Sequence, residues 1–152
     1  SEKSAGGNAY AAEVAEDGRY LAPGRRFQRP YSAHNLLVDF ITYQFRLIRP
    51  EAYRTVGGVD ASMPVAYDYD LCLRLSERVE VGHLPKPLYR YRMRKESISH
   101  ASRLRQVRAS FDAAQRALQR RGLQGKYALA LGVRARHVLR PKDASSPQGE
   151  GA

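Results

Sequence analysis

Residues 57–75 read Gly57-Gly58-Val59-Asp60-Ala61-Ser62-Met63-Pro64-Val65-Ala66-Tyr67-Asp68-Tyr69-Asp70-Leu71-Cys72-Leu73-Arg74-Leu75, the densest run of chemistry-bearing side chains in the sequence. Asp68 can satisfy free backbone N–H groups at a helix start, and Leu71, Cys72 and Leu75 recur on one helical face. The spacing predicts a helix from about Asp68 to about Val79. Glycine carries no Cβ, so the Gly57-Gly58 pair can bend sharply or let backbone approach a ligand. It reads equally as the end of a preceding helix, since Pro50 is favoured at a first helical position and Pro50–Val56 would stop at Gly57. Asp68 and Asp70 also have two readings. They are N-capping carboxylates well placed in the helix dipole, or one of them points into a cleft to take a proton from a hydroxyl or help bind a divalent cation.

Working outward, Ser32 is a suitable N-cap for a short helix through Asp39. Phe40–Ile48 then alternates Ile41, Tyr43, Phe45 and Leu47 against Thr42, Gln44 and Arg46, the period of a strand. Before these, Glu16-Asp17-Gly18 between Tyr10–Val14 and Arg19–Leu21 predicts a tight hairpin. On the other side, Val79–Leu84 and Leu88–Met93 read as two strands separated by a turn at Pro85-Lys86-Pro87. In the second, Tyr89, Tyr91 and Met93 share one face, and Leu88, Arg90, Arg92 and Arg94 the other. That arginine row is either a solvated strand face or a set of guanidinium forks matched to phosphate. Ser99 can cap a long helix whose stripe is Leu104, Val107, Phe111, Ala114 and Leu118, closed by Gly122. Lys126–Leu139 has a shorter helical pattern, weakened by Gly132. The expected organisation is a flexible lead-in over 1–9, a body over 10–123, a basic extension over 124–140 and a disordered tail over 141–152.

The chain has 152 residues, enough for one domain that buries roughly 68–70% of its unfolded surface. With 43% hydrophobic and 27% charged residues it is neither wholly disordered nor a collagen or coiled coil. One cysteine, Cys72, excludes a disulfide scaffold. No run approaches the length of a membrane span, and the polar start carries no signal-peptide core. Lys plus Arg is 26 against 15 acidic residues, a net charge of +11 that predicts attraction to phosphate-bearing partners or anionic lipid. Arg103, Arg105, Arg108, Arg116, Arg120 and Arg121 crowd the long helix with only Asp112 in opposition. Either that face is merely solvated, or it meets lipid heads or nucleic acid. No aromatic-plus-basic signature of an RNA module is visible, which argues against nucleic acid. His34, His83, His100 and His137 have no metal-ligand spacing.

Taken in order, four runs are familiar: Tyr53–Asp60, Tyr67–Leu75, His83–Arg92 and Ser97-Ile98-Ser99. Together they resemble the C-terminal, acceptor-side half of a family 2 glycosyltransferase of the GT-A fold, over about residues 10 to 123. The expected fold is therefore α/β, in detail an α+β fragment: a partial GT-A-like fold with a short mixed sheet, packed helices and a long C-terminal amphipathic helix. The resemblance implies transfer of a sugar from a nucleotide-sugar donor to the hydroxyl of a saccharide or lipid-linked acceptor, with inversion and with Mg²⁺ or Mn²⁺ on the pyrophosphate. Asp68 matches the family's catalytic base. Gly57 and Gly58 match its glycine loop, and Asp70, Arg92 and Arg94 fall in its substrate-binding stretches. Tyr67 stands where the family commonly has Glu. Arg94 stands where it often has a histidine proposed as a cation ligand; arginine cannot ligate a metal but can neutralise the diphosphate, which implies altered metal dependence. Nothing before Asp68 supplies the family's nucleotide-binding unit or its D-x-D metal motif, so the chain alone is not expected to turn over donor. The resemblance implies a role in cell-envelope polysaccharide synthesis in the cytoplasm, and allows a peripheral position at the inner membrane face.

Overall fold

A computed structural model describes residues 6–23, 29–42, 46–93 and 103–132. Arg94, Ser99 and the tail over 141–152 lie outside the described residues. The chain combines a short mixed sheet with packed helices. Strand β1, Gly6–Val14, is central. β2, Tyr20–Pro23, pairs antiparallel beside its Ala12–Val14 end. β3, Arg46–Ile48, pairs antiparallel beside Gly6–Asn8. β4, Val81–Arg92, runs parallel along the opposite side of β1 over its whole length. Residues 6–9 are thus strand, because ladder partners on both sides hold their backbone, and not a lead-in outside the body.

The hairpin forms where Asp-Gly predicts it. Asp17 accepts from the Arg19 N–H at 2.9 Å, Gly18 takes a φ of 90°, and the Gly18 N–H donates to Ala15 O at 3.0 Å. Helix α1, Ala33–Val38, is capped by Ser32, whose Oγ accepts from the Asn35 N–H at 2.9 Å. Helix α2, Pro50–Thr55, starts on its proline and ends through Gly57 and Gly58, with φ of 75° and 69°. Helix α3, Tyr67–Arg78, ends at Val79 as expected. Its N-cap, however, is Ala66 at φ 60°, not Asp68, which lies inside the first turn.

Three further expectations are corrected. The strand over 40–48 shrinks to Arg46–Ile48 among the described residues. The Ile41 N–H bonds locally to Asp39 O at 2.9 Å, Ile41 and Thr42 are buried, and Phe40 tilts against Tyr69 at 4.9 Å. This segment tucks under α3, and core packing outweighs the alternation. Second, Pro85-Lys86-Pro87 is no turn. Val81–Arg92 is one strand whose register slips against β1, Leu84 facing Ala9 and Pro87 facing Tyr10. Proline lacks the N–H of a ladder bond, and a strand that is irregular at this point tolerates that loss. Third, residues 126–132 of the basic extension form a turn and irregular chain rather than a helix. Leu129 packs on the core, and Tyr127 meets His34 edge-on at 5.4 Å.

The core lies between helices. Leu36 and Leu37 of α1, Tyr69, Cys72 and Leu73 of α3, and Ala113, Ala114, Ala117 and Leu118 of the last helix form the main cluster. Ala52, Leu71 and Leu75 form a smaller one, against which Ile48 of β3 packs. Burial pushes the Tyr31 hydroxyl up to about 12, with Cys72 adding to the shift. It raises Tyr69 further still, the Tyr69 hydroxyl donating to Leu36 O at 2.5 Å. These are packing tyrosines.

The last helix, α4, spans Arg103–Arg120 and closes through Gly122, whose φ is 64° while the Leu123 N–H bonds to Leu118 O at 3.1 Å. Its apolar stripe is not buried throughout. Leu118 is 6% exposed and Ala114 is buried, but Val107 is exposed and Leu104 is 86% exposed. The helix outruns the partners that cover its C-terminal half. Among the described residues no helix is long and apolar enough to cross a membrane.

Candidate functional site

The glycine pair ends α2 by a standard hydrogen-bond exchange: the Gly58 N–H donates to Tyr53 O and the Gly57 N–H to Arg54 O, each at 3.0 Å. Helix capping is therefore what these glycines do locally. Gly58 is also buried against a ring, since a Cβ there would meet Tyr53 Cε1 at 2.8 Å. The Tyr53 hydroxyl in turn accepts from the Val59 N–H at 3.1 Å.

The loop is fastened to α3 by Arg74. Its Nη1 donates to Val56 O at 2.5 Å and Gly58 O at 2.8 Å, and its Nε donates to Asp70 Oδ2 at 2.7 Å. Asp70 is 3% exposed, with Arg116 of α4 standing 3.9 Å from its other oxygen. A buried carboxylate needs such partners, because an unpaired charge there would be costly. Asp70 accordingly faces inward and organises the loop. Asp60 just beyond accepts from Ser62 N–H and Oγ at 2.9 and 2.6 Å, bonds that pull its carboxyl below the usual range.

Asp68 looks the other way. Residues two apart on a helix point about 200° apart, so the carboxylates leave the first turn of α3 on opposite flanks. Asp68 Oδ1 accepts from the Tyr69 N–H at 2.9 Å, and Oδ2 lies 3.3 Å from Arg46 Nη2 of β3. Arg46 also donates to Cys72 Sγ at 3.3 Å, one turn further along α3, and its guanidinium stands 5.3 Å from the Phe40 ring centroid. The Asp68 side chain is 36% exposed. It is held in orientation by one arginine and one backbone N–H, and remains partly exposed.

Gly57, Gly58 and Asp70 are thus joined into one bonded unit, and Asp68 rides on the same helix turn with its carboxylate on the far flank. Arg92 is exposed at the end of β4, opposite Val14. Around it the two faces of β4 are not divided into wet and dry: Leu88, Tyr89 and Arg90 are all exposed. Burial lowers His83 from the ordinary histidine value, which favours its neutral form. Among the described residues no cluster of three or more His, Cys, Asp or Glu could hold a metal ion. Asp68 and Asp70 each already face a guanidinium, an unfavourable donor set for a cation.

Two contacts were not foreseen in the sequence, the bond from Arg74, itself part of the dense 57–75 run, to Asp70 and that from Arg46 to Asp68. Arg74 sits four positions after Asp70 and was recoverable from that helical spacing. Arg46 comes from a separate strand, and nothing local connects it with Asp68. No protein-family model and no curated protein sequence matches this chain.

Proposed function

We propose that the chain is the acceptor-side, catalytic-base portion of a family 2-like inverting glycosyltransferase with a partial GT-A-like fold. The observation that carries this reading is Asp68: a partly exposed carboxylate at a helix start, fixed by Arg46, on the same helix turn whose Asp70 and Arg74 brace the Gly57-Gly58 loop. In the proposed reaction, Asp68 accepts the proton of the acceptor hydroxyl as its oxygen bonds to the anomeric carbon of the donor sugar. The bond from that carbon to the nucleoside diphosphate breaks, and the leaving group departs with the electron pair. Arg92 and Arg94 are the candidates to neutralise the diphosphate, a task suited to the guanidinium fork. The donor is a nucleotide sugar and the acceptor a saccharide or lipid-linked saccharide, in cytoplasmic synthesis of cell-envelope polysaccharide. The divalent cation expected with such donors would be held mainly outside this chain.

The test is Asp68→Asn in the protein carrying both this portion and its nucleotide-binding half. Loss of a general base lowers transfer roughly a thousandfold. Donor affinity by calorimetry and the circular dichroism spectrum stay as in the parent. Turnover equal to the parent's removes Asp68 from the mechanism.

A further inference from the structure

We infer that the first two turns of α4 form a docking surface for an anionic phospholipid membrane. At about 100° per residue, Val107, Phe111 and Leu104 fall within roughly 60° of one another on the helix circumference. Arg105 and Arg108 flank this stripe on one side and Arg103 on the other. Leu104 is 86% exposed, Val107 is exposed, and Arg103, Arg105 and Arg108 are exposed around them. An apolar ridge between guanidinium groups lets the ridge enter the acyl boundary while the arginines extend to the phosphates.

The placement of charge points the same way. α4 carries no acidic residue in its first turn, where the helix dipole disfavours arginine and favours acid. Further along, Arg116, Arg120 and Arg121 are engaged internally, the last two on Glu77 at 2.9 and 3.6 Å. The first half of α4 is thus a rigid basic overhang anchored by its second half, and an anionic surface offsets the unfavourable dipole placement. Nucleic acid would match the arginines but not the exposed Leu104 and Val107, and Phe111, the one ring of the stripe, is half-buried and so a poor platform for a stacked base. The inference does not depend on sugar transfer.

The experiment is co-sedimentation of the full chain with vesicles of phosphatidylcholine alone and with about one third phosphatidylglycerol. The parent partitions to the anionic vesicles, and added salt weakens binding. Replacing Arg103, Arg105 and Arg108 together by Gln lowers partitioning on the order of a hundredfold, at about 1 kcal/mol per basic residue. Leu104→Glu lowers it roughly tenfold, with an unchanged thermal melt because the site is exposed. Equal partitioning into the two vesicle types overturns the inference, as does an inert Leu104→Glu. So does binding of oligonucleotides that displaces the vesicles and depends on the three arginines but not on Leu104, which would make the overhang a nucleic-acid surface.

Discussion

The two halves of α4 carry the same kinds of residue and meet opposite fates. In the C-terminal half, Ala113, Ala114, Ala117 and Leu118 close the main core. There Arg120 grips Glu77 with Nε and Nη2, each at 2.9 Å, and Arg121 donates to Ala33 O at 2.6 Å and Ser76 Oγ at 2.8 Å. In the first half, Leu104 and its neighbouring arginines meet no such partners among the described residues and stand exposed. Formal charge therefore says little about surface charge. An arginine near an inward-facing Glu or an uncapped carbonyl becomes part of the fold, while an identical residue three or more turns earlier remains available to a partner.

The sharpest way to break that contrast is at the arginine-bound centre. Asp70→Ala removes the buried acceptor of Arg74 and leaves its guanidinium without its counter-charge, a loss of about 4 kcal/mol by urea unfolding. Arg103→Ala, on the overhang, changes stability by less than about 0.5 kcal/mol. Asp68→Asn costs less than about 1 kcal/mol, as expected for a partly exposed pair. A Asp70→Ala loss as small as that for Asp68 would mean that the Arg74 bridge does not hold the glycine loop to α3.

Much of this architecture was legible because its signals are local. Ser32, Pro50, Gly57 and Gly122 each govern a helix end through bonds within a few residues, and each does so where the sequence places it. The hairpin at Asp17-Gly18 was legible for the same reason. What failed depended on distant partners. Ile41 abandons strand alternation because α3 offers it a core, and Pro85–Pro87 stays in the sheet because β1 pairs with β4 on either side of the register slip. Leu104 and Leu118 occupy one stripe, and nothing in its periodicity tells where the covering helices stop. At the candidate site, Asp68 and Asp70 were legible as paired carboxylates at a helix start, but their division between two flanks of α3 was not. That division rests on which carboxylate Arg46 and Arg74 reach.

Within the stripe of α4, the same substitution at two positions measures how far the core extends. Leu118→Ala costs about 3 kcal/mol, the transfer free energy of the lost side chain plus the cavity it leaves. Leu104→Ala costs nothing within about 0.5 kcal/mol, because an exposed leucine gives up little and alanine is the better helix former. Chemical denaturation of both variants makes the comparison, with equal slopes required for it to hold. A Leu104→Ala loss near that of Leu118 would place a covering partner over the overhang within the chain itself, leaving no free face for a membrane.

The smallest effect separates the two glycines that close α2. Both have positive φ, so either alanine variant carries the left-handed strain of about 1 kcal/mol. At Gly57 that is the whole cost, because a Cβ there meets nothing within 4 Å. At Gly58 the new methyl also drives against the Tyr53 ring, whose hydroxyl holds the Val59 N–H. The ring can swing outward, since Tyr53 is exposed, so the added cost is limited to about 1 kcal/mol, much of it the lost bond to Val59. Thermal unfolding therefore ranks parent, Gly57→Ala and Gly58→Ala in falling order, and Tyr53→Ala brings the two glycine variants together. If Gly58→Ala stays the weaker after Tyr53 is removed, the loop is held closed by Arg74 and not by the ring. The bonded centre around Asp70 would then extend one residue further toward the exposed side of the molecule.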